Sequence, residues 1–123
     1  MKSLFLSVGL LLAMSPCAAF AQPIESYVAR LSAADHFNSN GERLTSVAAI
    51  IRQDRANLYA LGKGDPEDET DSFFSDKANR ARLESMLNRG TANKAARHAI
   101  LNGTPVIRVD IYRDFINVEV YRD

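Results

Sequence analysis

Hydrophobic residues occur along this chain in two ways, as one unbroken block near the N-terminus and as periodic stretches after it. The block, Leu4 to Met14 (LFLSVGLLLAM), follows Lys2, is too short to span a bilayer and lacks a stop-transfer flank, which is the pattern of a signal peptide. Ser15-Pro16 ends it, and Ala19 and Ala21 supply the small residues that a signal peptidase accepts, so cleavage is expected before Gln22. Residues 1–21 are read as a cleaved leader and 22–123 as one small exported domain, placed in the periplasm or outside the cell. Cys17 is a poor lipid attachment site because Pro16, not a small residue, precedes it.

After the leader the period changes. Ser26 to Ala34 alternates, with Tyr27, Ala29, Leu31 and Ala33 on one side, and predicts a strand that stops at the turn-forming run Asp35 to Gly41. Glu42 to Leu61 predicts a helix, because Leu44, Val47, Ala48, Ile51 and Leu58 recur at steps of three and four, and Gly62 is its stop. The acidic stretch 63–72 has no periodicity and reads as a solvated connector whose end, Asp71 or Ser72, caps the next helix. That helix is expected from Ser72 or Phe73 to Arg89, with Phe74, Ala78, Leu83, Met86 and Leu87 inward, and a third from Ala92 to Leu101. Pro105–Tyr112 and Phe115–Tyr121 alternate around Arg113-Asp114 and predict a β-hairpin. A lone hairpin is marginally stable. The expected fold is therefore α+β: a three-stranded antiparallel sheet, made by the N-terminal strand and the hairpin, covered by two to three helices.

Composition sharpens the functional classes. The 123 residues carry 15 Lys+Arg and 15 Asp+Glu, and the single Cys belongs to the leader. The expected mature domain thus has no thiol for nucleophilic, redox or zinc chemistry and no disulfide, so its packed core must hold it together. Overall neutrality hides segregation. Residues 65–76 hold six acids and no base, whereas 77–108 hold seven bases and one acid, Glu84. Arg80, Arg82, Arg89, Lys94 and Arg97 are the residues by which the second and third helices would present a basic face to an anionic envelope component or another protein. The opposing expectation is that the acidic connector folds back on that face. No aromatic residues interleave with these bases, so nucleic acid is not an expected partner.

Two charges stand out inside an apolar stripe. At about 100° per residue, Asp54 lies in line with Ile50 and Leu58, and Arg55 with Ile51 and Tyr59. An unpaired buried charge is costly, so both need partners. As a binding site, Arg55 would grip a carboxylate or phosphate and Asp54 would orient it, with Gln53 and Asn57 alongside. As structure, the pair would meet Asp110, Glu119 or Asp35.

Asp35-His36 offers the residue types of a general base, and a small hydrolase or lyase using His36 with Asp35 or Asp54 is the catalytic alternative. Against it, adjacent residues of an extended chain point to opposite faces, and no G-x-S-x-G or H-E-x-x-H motif is present. A zinc site would have to take both His36 and His98 without ligand spacing. The run from Asp65 to Asp76 has the length of a calcium loop but places Thr70 where that loop needs glycine and Asp76 where it needs glutamate. No metal and no cofactor are expected. The leading expectation is a non-catalytic exported binding or inhibitor-type module with no membrane span after cleavage; a self-associating structural subunit is the third alternative.

Overall fold

The computed structural model describes residues 22–123, so the expected leader, its cleavage site and Cys17 lie outside the described residues. The chain forms β1 (Glu25–Arg30), a single 3-10 turn (Ala33–His36), α1 (Val47–Ala60), α2 (Lys77–Arg80), α3 (Leu83–Arg89), β2 (Thr91–Ala92), α4 (Lys94–Asn102), β3 (Val106–Ile111) and β4 (Ile116–Arg122). The strands make one sheet in the order β1-β3-β4-β2. Among the described residues no helix is long and apolar enough to cross a membrane.

The α+β class holds, and the sheet is larger than expected. β1, β3 and β4 pair antiparallel as the alternating segments predict, with Tyr27 opposite Val109 and Val109 opposite Val118. A fourth strand corrects the three-stranded antiparallel expectation: Thr91–Ala92 pairs parallel with β4, making the sheet mixed. Two residues leave no readable period. The N–H and hydroxyl of Thr91 both donate to the Asn117 side chain, which anchors the strand.

One sheet face is buried. Tyr27, Ala29, Val109, Ile111, Ile116 and Val118 point to the helices and join Ile50, Ile51, Phe74, Leu83, Met86 and Ile100 in the core. The opposite face is polar, where Ser26 and Arg108 both donate to Asp110.

Two expected boundaries move, each for a local reason. β1 ends at Arg30, not Ala34, because the Ser32 N–H donates to the Asp35 carboxylate and starts the 3-10 turn, leaving Ala33 exposed. α1 starts at Val47, not Glu42, because the Ser46 hydroxyl accepts from the Ala49 N–H as its cap, while the Asn38 side chain accepts from Asn40 and Glu42 in a tight loop before it. Gly62 ends the helix as expected, with φ of 61°.

The helix expected from Phe73 to Arg89 is two helices. On one straight helix the five-residue step from Ala78 to Leu83 would turn Phe74 and Ala78 to the side opposite Leu83 and Leu87. The break at Ala81–Arg82 restores the phase. Phe74, Leu83, Met86 and Leu87 are then all buried, and Ala78 is exposed, a correction to its inward assignment. Asp76, not Asp71 or Ser72, caps α2, accepting from the Ala78 N–H.

Candidate functional site

Arg55 is the largest fully buried side chain of the described residues, and its Nε and Nη1 are used inside the fold. Its Nε donates to Asp54 Oδ2 at 2.9 Å, and its Nη1 donates to Asp71 Oδ1 at 3.0 Å and to the Glu69 carbonyl at 2.9 Å. The plane lies 3.9 Å from the centroid of the Tyr27 ring, with Tyr59 on another side. Asp71 binds the Tyr59 hydroxyl and accepts from the Phe74 N–H, so one carboxylate holds a turn, a helix and an arginine together. Burial opposes the Arg55 charge, but the Asp54 and Asp71 carboxylates hold it ionised and push its pKa above the ordinary arginine value.

Satisfaction of the pair is incomplete. Asp54 Oδ1, Arg55 Nη2 and the Tyr27 hydroxyl are buried without a partner. Burial raises the Asp54 carboxyl well above the usual carboxylate range; Arg55 pulls it back, and Asp35 and Asp68 push it further up. Burial likewise raises the Tyr27 hydroxyl well above its ordinary value.

The partners are not those the sequence suggested. Asp110 and Glu119 lie on the solvent face of the sheet, Asp35 is buried but bonds Ser32 and Asn57, and the arginine takes Asp71 from the connector instead. The connector is not simply solvated. Glu69 exchanges bonds with Val28, its N–H donating to the Val28 carbonyl and its carboxylate accepting from the Val28 N–H; Asp68 accepts from the Arg30 N–H and Glu67 from the Arg30 side chain. The acids therefore cover the free edge of β1, an edge otherwise open to pairing with another chain.

Asn57 and Gln53 extend the network in the other direction. Gln53 Nε2 donates to Asn57 Oδ1, and Asn57 Nδ2 donates to Asp35 Oδ1, while Asp35 Oδ2 holds Ser32. Gln53 alone of the four reaches a surface groove, beside Arg52 and Ala56. His36 is buried next to Asp35 but does not bond to it. Its Nδ1 faces the Ser32 carbonyl and its Nε2 the Ile100 carbonyl, each at 2.8 Å, so neither nitrogen is open to a substrate. His98 is exposed on α4, bonded to Asn102.

The basic residues divide as well. Arg80 is buried, its Nη1 donating to the Phe74 and Ser75 carbonyls, which closes the turn before α2 and removes it from the expected basic face. Arg82, Arg89, Lys94 and Arg97 are exposed, as is Lys77. Among the described residues every ion pair belongs to Arg30, Arg55 or Arg108, so none of these five cations lies within 4.0 Å of a carboxylate.

Sequence reasoning missed Asp71, Tyr59 and Tyr27 as partners of Arg55. One signal was present: strict alternation in the two C-terminal strands puts Asp110 and Glu119 opposite the apolar residues, which leaves the connector as the source of an inward carboxylate. No protein-family model, curated protein or solved structure matches this chain.

Proposed function

We propose that this protein is a non-catalytic interaction module of the cell envelope that engages an anionic envelope component through the basic side of α2, α3 and α4. The observation that carries the reading is the set of five exposed cations, Lys77, Arg82, Arg89, Lys94 and Arg97, without carboxylate partners, while Glu67, Asp68, Glu69 and Asp71 of the connector are engaged at β1 and Arg55. Long-range attraction from such a surface is screened by salt and strengthens encounter with any polyanion. The enclosure of Arg55 and the carbonyl contacts of both His36 nitrogens favour this reading over a hydrolase or lyase, because both side chains are buried away from the surface.

Co-sedimentation with vesicles of phosphatidylglycerol and of phosphatidylcholine, at roughly 0.05 M and 0.5 M salt, tests it. Binding is expected to the anionic vesicles at low salt only. The combined substitutions Lys77→Glu, Arg89→Glu and Lys94→Glu, at side chains with no intramolecular hydrogen bond, should remove it with the fold intact by circular dichroism. Salt-insensitive binding, or binding unchanged by the substitutions, sinks the reading.

A further inference from the structure

Three carboxyl groups meet where the 3-10 turn, α1 and the connector come together. One oxygen each from Asp35, Asp54 and Asp65 lies within 4.8 Å of the other two. Like charges at that separation in a partly dry site repel strongly. The cation nearby does not resolve this, since Arg55 bonds Asp54 and Asp71 and makes no ion pair with Asp35 or Asp65.

A second observation points to a missing positive ligand. Asp54 is 1% exposed, Arg55 takes only its Oδ2, and Oδ1 has no hydrogen-bond partner. A buried carboxylate oxygen without a donor is among the more costly groups a fold can hold. Around it the chain is ordered. Asp35 is fixed by Ser32 and Asn57, and Asp68 accepts from the Asp65 N–H, which sets the turn that brings Asp65 to the cluster. Asp65 is half-buried, so the cluster has a rim open to water.

We propose that Asp35, Asp54 and Asp65 form a binding site for a calcium ion, with one oxygen from each as a ligand. Hard oxygen donors with no nitrogen or sulfur suit a hard cation and not zinc or copper. Calcium–oxygen distances of about 2.3–2.6 Å seat ligands up to roughly 5 Å apart on one ion, and calcium accepts irregular ligand sets where magnesium demands an octahedron with several waters. The linear loop from Asp65 to Asp76 is not the site; only its first residue takes part, together with carboxylates from two earlier segments. The ion would tie the connector to α1 and to the turn after β1. This site is separate from the basic residues of α2 to α4, so its failure and the failure of the polyanion reading are distinguishable.

Calorimetric calcium titration and thermal unfolding of the chelator-treated protein test the assignment. One site is expected, with Kd of about 0.1–1 mM, the range of extracellular calcium modules. At ten times Kd the folding equilibrium shifts about elevenfold, which raises Tm by about 5–10 °C. Asp65→Asn, at the rim and with a side chain that makes no internal hydrogen bond, should leave the calcium-free Tm unchanged or higher and abolish the calcium response; Asp54→Asn should do the same to the response. Three outcomes overturn the site: no heat and no Tm shift at about 10 mM calcium, the same rise with magnesium or with sodium chloride of matched ionic strength, or an undiminished calcium response in Asp65→Asn. A carboxyl cluster held together by a shared proton would give the first of these.

Discussion

Arg55 joins three segments through one guanidinium, so its removal acts on groups far apart in sequence. Arg55→Met would keep much of the apolar stem while stranding Asp54 and Asp71 as buried charges. We expect a loss of about 3–5 kcal/mol in urea unfolding, the range for breaking a buried pair from one side; a loss below about 1 kcal/mol would show the carboxylates to be solvated in solution. Tyr27 makes the opposite prediction. Its ring packs on the guanidinium, yet its hydroxyl has no partner, so Tyr27→Phe should leave stability at neutral pH unchanged or raise it. The Tyr27 and Tyr59 hydroxyls both have pKa values raised above 10.0 by burial, so the unfolded chain loses these protons first. Stability is therefore expected to be undiminished by them below pH of about 10 and to fall as pH rises through that value. Tyr27→Phe should weaken this alkaline loss, as thermal unfolding across that pH range would reveal. His36→Ala would remove the buried ring that faces the Ile100 carbonyl, at about 1–3 kcal/mol, while the Ser32 carbonyl keeps the Asp35 N–H, and should act on stability; an unchanged Tm would place that ring outside the core.

At the scale of elements, the long apolar-periodic segments were legible from the chain because their burial is one-sided. The alternation of Ile107, Val109 and Ile111, and of Ile116 and Val118, gives β3, β4 and their inward faces directly. The same method failed between Phe73 and Arg89, where counting apolar residues without their angular phase merged α2 and α3. It also missed β2, whose two residues are held by Asn117 and by the close approach of α3 to β4. Gly90 marks that approach. Its φ is −106°, which any residue adopts, but a Cβ there would meet the Ile116 carbonyl oxygen at 1.7 Å. Gly90→Ala should therefore cost at least about 1–3 kcal/mol, the range for overpacking, whereas a role limited to ending the helix would cost far less. Chemical denaturation separates the two.

For the molecule as a whole, the acidic connector is the organising segment. It covers the β1 edge, supplies Asp71 to Arg55 and delivers Asp65 to Asp35 and Asp54, so the negative half of the chain is largely spent inward. The basic half, without Arg80, is left facing outward. Weakening the connector at Glu69→Ala removes the acceptor of the Val28 N–H and opens the β1 edge. Such a variant should self-associate more readily than the parent chain, and sedimentation velocity at two concentrations would show this as a concentration-dependent rise in mean sedimentation coefficient.

The chain by itself determined the α+β class, the antiparallel core of the sheet, the helix stop at Gly62 and the need of Asp54 and Arg55 for partners, because each rests on local period or on the cost of burying a charge. Which carboxylates answered that need was decided only by tertiary structure. Asp71 lies 16 residues from Arg55 in sequence, and the aperiodic connector between them carries no local signal of the side to which each acid turns. The same holds for the meeting of Asp35, Asp54 and Asp65, which are distant along the chain and become neighbours only when β1, α1 and the connector pack against one another.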